Sequence, residues 1–253
     1  MTATILVTGG TGTLGRHVVK HLREAGQDVR VLSRRPQQPR EGVEYVVGDL
    51  ATGEGVDTAV DGVGAILHLA GSANGDDDKT RTLVQAATSQ QEGPHIVYIS
   101  VVGADRPSFS YFAAKCASEQ ILTESGLPWT ILRATQFHEL LLKVVRGMAK
   151  LPVLPAPSGF RFQPIEAAEV AESLVSLALG QPAGRVPDIA GPQVYEMADL
   201  LREYLRASHR SRPVVRLPLP GRAAREFRAG ANLAPERAVG RRTWEEFLAA
   251  RVS

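Results

Sequence analysis

The chain opens on an apolar run, Ala3-Thr4-Ile5-Leu6-Val7-Thr8, that reads as a strand. Leu14, Val18, Val19 and Leu22 then fall on one face of a helix predicted over Thr13 to Ala25, with Gly26 as its stop. Further strands are predicted at Asp28–Leu32, Val43–Val47, Gly64–Leu69, His95–Val101 and Trp129–Arg133. Helical patterns separate them: a short one over Asp57–Asp61, one over Asp78–Gln91 with Leu83, Val84 and Ala87 as its stripe, and one from Ser110 to Leu122. His95–Val101 is apolar throughout, as suits a strand covered on both faces of a parallel sheet.

The second half keeps the alternation less strictly. Gln136–Lys150 is a leucine- and valine-rich helix, and the prolines recurring from Leu151 to Pro157 exclude helix there. Gly159–Ile165 reads as extended, Ala167–Leu179 as helix, Val186–Ala190 as a short strand, Met197–Ala207 as helix and Pro213–Leu217 as extended. The last helix is predicted over Thr243–Arg251. The pattern divides into residues 1–150, a core, and residues 151–253, a smaller lobe packed on it as one structural unit.

Glycines punctuate the first strand–helix junction. In Gly9-Gly10-Thr11-Gly12-Thr13-Leu14-Gly15, Gly9, Gly12 and Gly15 lie three apart. The first permits a sharp turn, the second removes a Cβ where a pyrophosphate would approach, and the third lets helix and strand pack closely. Amides of the first helical turn, from Thr11 through Gly15, would face the phosphates, helped by the helix dipole. A tight turn without a ligand is the competing reading.

The next strand ends in Ser33-Arg34-Arg35. An NAD site places a carboxylate there for the ribose hydroxyl, whereas guanidinium groups suit a 2′-phosphate. NADP(H) is therefore expected over NAD(H), with Arg34 as main contact and Ser33 and Arg35 assisting; exposed loop charges are the alternative. Asp49 has two readings, an acceptor for the adenine amino group or a helix cap, and Leu50 would pack on the ring. The small residues of Leu69-Ala70-Gly71 would let the chain pass beside the cofactor. His68, just before them, reads as a packed or hydrogen-bonded side chain.

Composition narrows the class. The 253 residues are 43% hydrophobic and 22% charged, ordinary for a globular chain, and no apolar run is long enough to span a bilayer. A lone cysteine, Cys116, suits a reducing cytoplasm. No basic and apolar signal segment opens the chain, so a cytoplasmic location is expected. The histidines are scattered without metal-ligand spacing, so no metal is expected, and no Gly-x-Ser-x-Gly elbow marks a hydrolase. From Leu201 onward twelve Arg meet five acidic residues, although the whole chain carries only +2. That arginine-rich region reads as a solvated surface, open to a protein partner; it lacks the aromatic interleaving of a nucleic-acid site.

Several of these features resemble the short-chain dehydrogenase/reductase superfamily, and more closely its atypical, NmrA-like branch of NAD(P)H-binding proteins. The likeness rests on Thr8 to Gly15, Gly48-Asp49-Leu50, Tyr111 with Lys115, the run Gly126-Leu127-Pro128-Trp129-Thr130-Ile131-Leu132-Arg133 followed by Gln136-Phe137-His138, and Thr243-Trp244. It extends over most of the chain. It implies a Rossmann-type α/β fold, a doubly wound parallel sheet in the order 3-2-1-4-5-6, with a small C-terminal α/β substrate lobe. It also implies that Ala134, Thr135 and Phe137 run past the nicotinamide, with Gln136 beside them.

Orthodox members of that superfamily use Tyr-x-x-x-Lys with an upstream Ser. By that resemblance Tyr111 would protonate a carbonyl oxygen as hydride arrives, Lys115 would lower the tyrosine pKa and hold the ribose, and Ser100 would bond the substrate oxygen. Only eleven positions separate Ser100 from Tyr111, fewer than in the orthodox enzymes. Packing of Tyr111 at a helix start is the competing reading. His138 is a candidate acid or substrate contact, or a structural side chain. Phe160 and Phe162 form either an apolar substrate wall or core.

Three functions follow as expectations: an NADPH-dependent reductase of a small carbonyl, enone or quinone-like substrate; a non-catalytic NADP(H)-sensing regulator; and an epimerase that uses bound cofactor transiently.

Overall fold

The computed structural model describes residues 4–71, 75–106 and 110–252; Ala3, read with the first strand, lies outside them. The first half runs β1 (Thr4–Thr8), α1 (Thr13–Glu24), β2 (Val29–Ser33), β3 (Val43–Val47), α2 (Val56–Val60), β4 (Val63–His68), α3 (Asp76–Thr88), β5 (His95–Val101), α4 (Ser110–Glu124) and β6 (Trp129–Ala134). Then follow α5 (His138–Met148), β7 (Leu154–Pro157), β8 (Arg161–Phe162), α6 (Ala167–Leu179), β9 (Gly184–Arg185), β10 (Tyr195–Glu196), α7 (Met197–Ala207), β11 (Val214–Leu217), α8 (Arg222–Arg228) and α9 (Trp244–Ala249).

The main sheet is parallel in the order β3-β2-β1-β4-β5-β6-β9. The 3-2-1-4-5-6 arrangement is thus present, extended by one edge strand. Period-two alternation explains its two covered faces. Ile5, Val7, Val29, Val31, Leu67, Val97 and Leu132 point to the side where α1 and α6 pack. Leu6, Leu32, Ile66, Ile96 and Ile131 point to the other, against α2, α3 and α4. A second core joins α5, α7, α9 and β7 around Leu141, Leu201, Trp244 and Phe247.

One expectation needs correction, and one element was not anticipated. The two cores do not follow chain order about residue 150. Helix α5 lies before it yet buries Leu141, Leu142 and Val145 in the second core. Helix α6 lies after it yet buries Val170, Ala171 and Leu174 beside α1. The amphipathic face of each helix, not its place in the chain, decides where it goes. The strand read at Val186–Ala190 is displaced: the paired segment is Gly184–Arg185. The chain continues beside β6 through Val186 and Ile189, whose amides donate to the Ile131 and Arg133 carbonyls (3.1 and 2.9 Å). Pro187 between them has no N–H to give, so the ladder is interrupted. Helix α8, rich in arginine, was not anticipated at all.

A buried ion pair sets the angle of α4. Arg133 on β6 donates from Nε and Nη2 to both carboxylate oxygens of Glu119 (2.8 and 2.6 Å), and from Nη1 to Asp105 (3.0 Å). Several arginines from Leu201 onward are also paired: Arg202 with Asp199, Arg206 with Glu203, Arg216 with Glu196, Arg241 with Glu169 and Glu172, and Arg242 with Glu166. Among the described residues no helix is long and apolar enough to cross a membrane.

Removing one partner of a buried pair strands a charge. Arg133→Met is expected to cost about 3–5 kcal/mol in urea denaturation, and Arg133→Met with Glu119→Leu clearly less. A pH effect follows from two buried histidines. Burial lowers His68 to about 3 and His138 to about 4, from an ordinary 6.5. The unfolded chain binds these protons below pH 6.5, whereas the folded chain refuses them until pH 3 to 4. Stability is therefore full above pH 6.5 and falls as pH drops below it. The expected slope is about 1.4 kcal/mol per pH unit for each histidine, read from denaturation at stepped pH.

Candidate functional site

Helix α1 starts at Gly12 with no side-chain cap and no acid in its first turn. Helix geometry leaves the first-turn amides without intrahelical partners. Three glycines make the approach possible. Gly9 has φ +70°, and a Cβ there would meet the Ala70 nitrogen at 2.8 Å. A Cβ on Gly15 would meet the Gly10 Cα at 2.6 Å and the Gly9 carbonyl closer still. At Gly12 the nearest obstacle is the Gly9 carbonyl at 3.2 Å, and a side chain would occupy the cleft. Bare amides, an uncompensated helix dipole and a cradle that a Cβ would fill together fit a dinucleotide pyrophosphate.

Two compartments meet at this turn and share Gly9, Gly12, Leu69 and Gly71. One, of about 330 Å³, is bounded by Thr11, Ser33, Arg34, Asp49, Leu50, Ala70 and Lys79. The other, of about 360 Å³, is bounded by Thr13, Leu14 and Gly15, by Ser100, Tyr111, Phe112 and Lys115, and by Ala134 to Phe137 with Leu140. The first has more polar walls, with Arg34, Asp49 and Lys79 among them. The second is walled mainly by apolar side chains around a few polar ones, as small-molecule sites are.

Hydrogen bonds hold the turn against the loop after β4. Thr8 Oγ1 accepts from the Leu69 and Ala70 amides, each at 3.2 Å. Its own hydrogen therefore goes to His68 Nδ1 at 2.8 Å. Thr80 Oγ1 gives its hydrogen to the Asp76 carbonyl at 2.8 Å, so it accepts from His68 Nε2 at 3.1 Å. This chain of donors assigns His68 the neutral tautomer with the proton on Nε2. Burial first, then the charges of Lys115 and Lys79, hold it unprotonated.

The floor of the second compartment is polar and dry. Lys115 Nζ is buried 3.2 Å from Asp76 Oδ2, donates to the Ile99 carbonyl at 3.4 Å and lies 4.8 Å above the Tyr98 ring. Burial alone would lower the ammonium pKa. Tyr98, Tyr111 and Asp76 more than offset it, so the net shift is upward and Lys115 stays charged. The Ser100 hydroxyl is buried and has no hydrogen-bond partner among the described residues. Tyr111 stands at the mouth, 37% exposed. Desolvation raises its pKa, Lys115 lowers it and Asp76 raises it again, with a net upward shift.

Some expected site residues lie elsewhere. His138 does not line the cleft: it is buried in the second core, stacked on Trp244 and Phe247 at centroid distances of 5.9 and 4.8 Å. Phe160 and Phe162 pack on Phe227 at 5.1 and 5.9 Å, one layer behind the wall that Phe112 forms. Gln136 reaches the cleft, but its amide donates to the Asn232 carbonyl (3.1 Å) and accepts from the Gln163 amide (3.4 Å), tying core to lobe. Arg35 is absent from the first compartment, and its carbonyl accepts from the Ser33 hydroxyl at 2.8 Å. Asp49 Oδ1 accepts from the Ala51 amide at 2.9 Å, closing a turn, while the residue also lines the first compartment. Asp76, Lys79, Phe112 and Leu140 were missed. Asp76 sits in a run of three aspartates and Leu140 in a leucine-rich helix, where composition marks none apart.

Comparison with known proteins agrees with this geometry. A reductase of Streptomyces griseus, (4-alkanoyl-5-oxo-2,5-dihydrofuran-3-yl)methyl phosphate reductase, is 33% identical over 160 residues, 61% of this chain and 55% of that protein, just over half its length. An NAD(P)H azoreductase of Xenophilus azovorans is 26% identical over 237 residues, 90% of this chain and 82% of that one. The crystal structure of an NADPH-dependent quinone oxidoreductase from Escherichia coli, complexed with NADPH, superposes with a TM-score of 0.82 at 19% identity, covering 97% of this chain and 99% of that one. At that identity the superposition speaks for the fold. Residues 9–179, from the first glycine of the turn to the end of α6, match the family described as NAD(P)H-binding. The protein therefore belongs to the NAD(P)H-binding family.

Proposed function

We propose that this protein is an NADPH-dependent reductase of a small carbonyl, enone or quinone-like substrate. One observation carries the reading: beside the glycine turn, a single cleft gathers a buried ammonium, Lys115, and two hydroxyls, Ser100 and Tyr111. The reductase and azoreductase relatives support it. Apolar walls from Leu14, Ile99, Phe112, Phe137 and Leu140 favour a flat, poorly hydrated substrate.

The glycine-turn amides and the dipole of α1 would hold the pyrophosphate, and Arg34 would pair with a 2′-phosphate; a reduced nicotinamide held there would supply the hydride. Ser100, dry and without another partner among the described residues, donates a hydrogen bond to the substrate oxygen. Lys115 places a fixed positive charge beside that oxygen as negative charge develops, and it bonds the ribose. Tyr111 carries its proton throughout neutral pH because its pKa is raised. It serves as donor and not as base.

With NADPH and a panel of quinones and enones, loss of nicotinamide absorbance is expected. Tyr111→Phe and Lys115→Ala should each lower kcat by about 10²-fold or more. Unchanged turnover in both would overturn the assignment. Tight NADPH binding without turnover across the panel would instead leave the sensing regulator. Turnover is expected to stay level through neutral pH and to fall only above about pH 10, where the donor ionises. Arg34→Glu should raise KM for NADPH on the order of tenfold or more while sparing NADH, because a carboxylate repels the 2′-phosphate.

A further inference from the structure

The run Asp76-Asp77-Asp78 opens α3, and its members are not equivalent. Asp78 faces solvent and pairs with Arg81 at 3.6 Å. Asp76 is 1% exposed. A buried carboxylate is costly unless a cation and hydrogen bonds compensate it. Here Oδ2 lies 3.2 Å from Lys115 Nζ, and Oδ1 lies 3.8 Å from Lys79 Nζ. Lys115 belongs to the second compartment and Lys79 to the first. Gly71, common to both, covers the pair: a Cβ there would sit 3.3 Å from Asp76 Oδ2 and 3.4 Å from Lys115 Nζ.

We propose that Asp76 is the positioning residue for Lys115, holding its ammonium under Gly71 where the two compartments meet. A lysine ends in a point charge on a flexible stem with three donors. Asp76 Oδ2 holds the ammonium as an ion pair at 3.2 Å, and the Ile99 carbonyl accepts from it at 3.4 Å. These two contacts fix where the charge sits relative to the cleft. The carboxylate also lets this cation remain in a dry site. The effect on dinucleotide binding rests on the function proposed above; the pairing itself does not.

The test uses the full chain as wild type, Asp76→Asn, Lys115→Met and the double variant. Two readouts are needed: NADPH affinity by calorimetry, and the Lys115 Cε titration by NMR. Asp76→Asn is expected to weaken NADPH on the order of tenfold in the wild-type background and less than about twofold when Lys115 is already Met. The Lys115 titration should move to lower pH in Asp76→Asn, with an unchanged urea midpoint and circular dichroism excluding general loosening of the fold. Equal weakening in both backgrounds, or an unmoved Lys115 titration, would overturn the proposal. If wild type binds no NADPH, the proposed function fails while the NMR readout still judges the pairing. Should Asp76→Asn not fold, Asp76→Glu keeps the charge but displaces it by one methylene. Folded protein with wild-type NADPH affinity would then count against Asp76 as the positioning group.

Discussion

The close approach of backbone to backbone at Gly9 and Gly15 is the constraint on which the site depends. Gly9 lies against Leu69 and Ala70, and Gly15 against Gly9 and Gly10. No side chain fits at either point. Because β1 and β4 are neighbours in the sheet, their C-terminal ends deliver the turn and the loop to the same place. Thr8 then binds that loop through its amides, and His68 carries the connection to α3 through Thr80. The open α1 terminus, the first compartment and the Lys115 side are therefore parts of one rigid junction.

Charge in this junction is arranged by burial more than by number. Lys115 and Asp76 are both nearly inaccessible, so their mutual attraction is poorly screened. The exposed arginine pairs of the C-terminal region are far weaker in consequence, since water competes at every contact. Local pairing there also changes the meaning of a basic tail: Arg241 and Arg242 join the last segment to α6. That contact brings the lobe back onto the dinucleotide-binding core.

Much of the fold was legible in the residues. Apolar periodicity located β3, β5, α6 and α7 at their observed bounds; β5, α6 and α7 each bury a well-defined stripe or face, whereas β3 is only partly covered. It failed for α8, whose arginines conceal a single buried alanine and a partly buried Phe227. It also misplaced the edge strand, whose regular ladder is only Gly184–Arg185 before Pro187 interrupts it. The packing of α5 and α6 was unreadable for a physical reason: both are amphipathic helices, and nothing in the pattern says which core each one joins.

At the site the division is similar. The glycine spacing and the Ser33-Arg34-Arg35 strand end determined, by themselves, where a dinucleotide would lie, since backbone sterics and charge act locally. Tertiary structure alone decided which side chains face it. His138 turned into an aromatic stack while Ser100, among the described residues, remained unpartnered in the cleft. One aspartate of three was drawn under Gly71 to Lys115. Such choices depend on contacts between residues tens of positions apart, and burial, which converts a common charge into a strong one, exists only after the chain has folded.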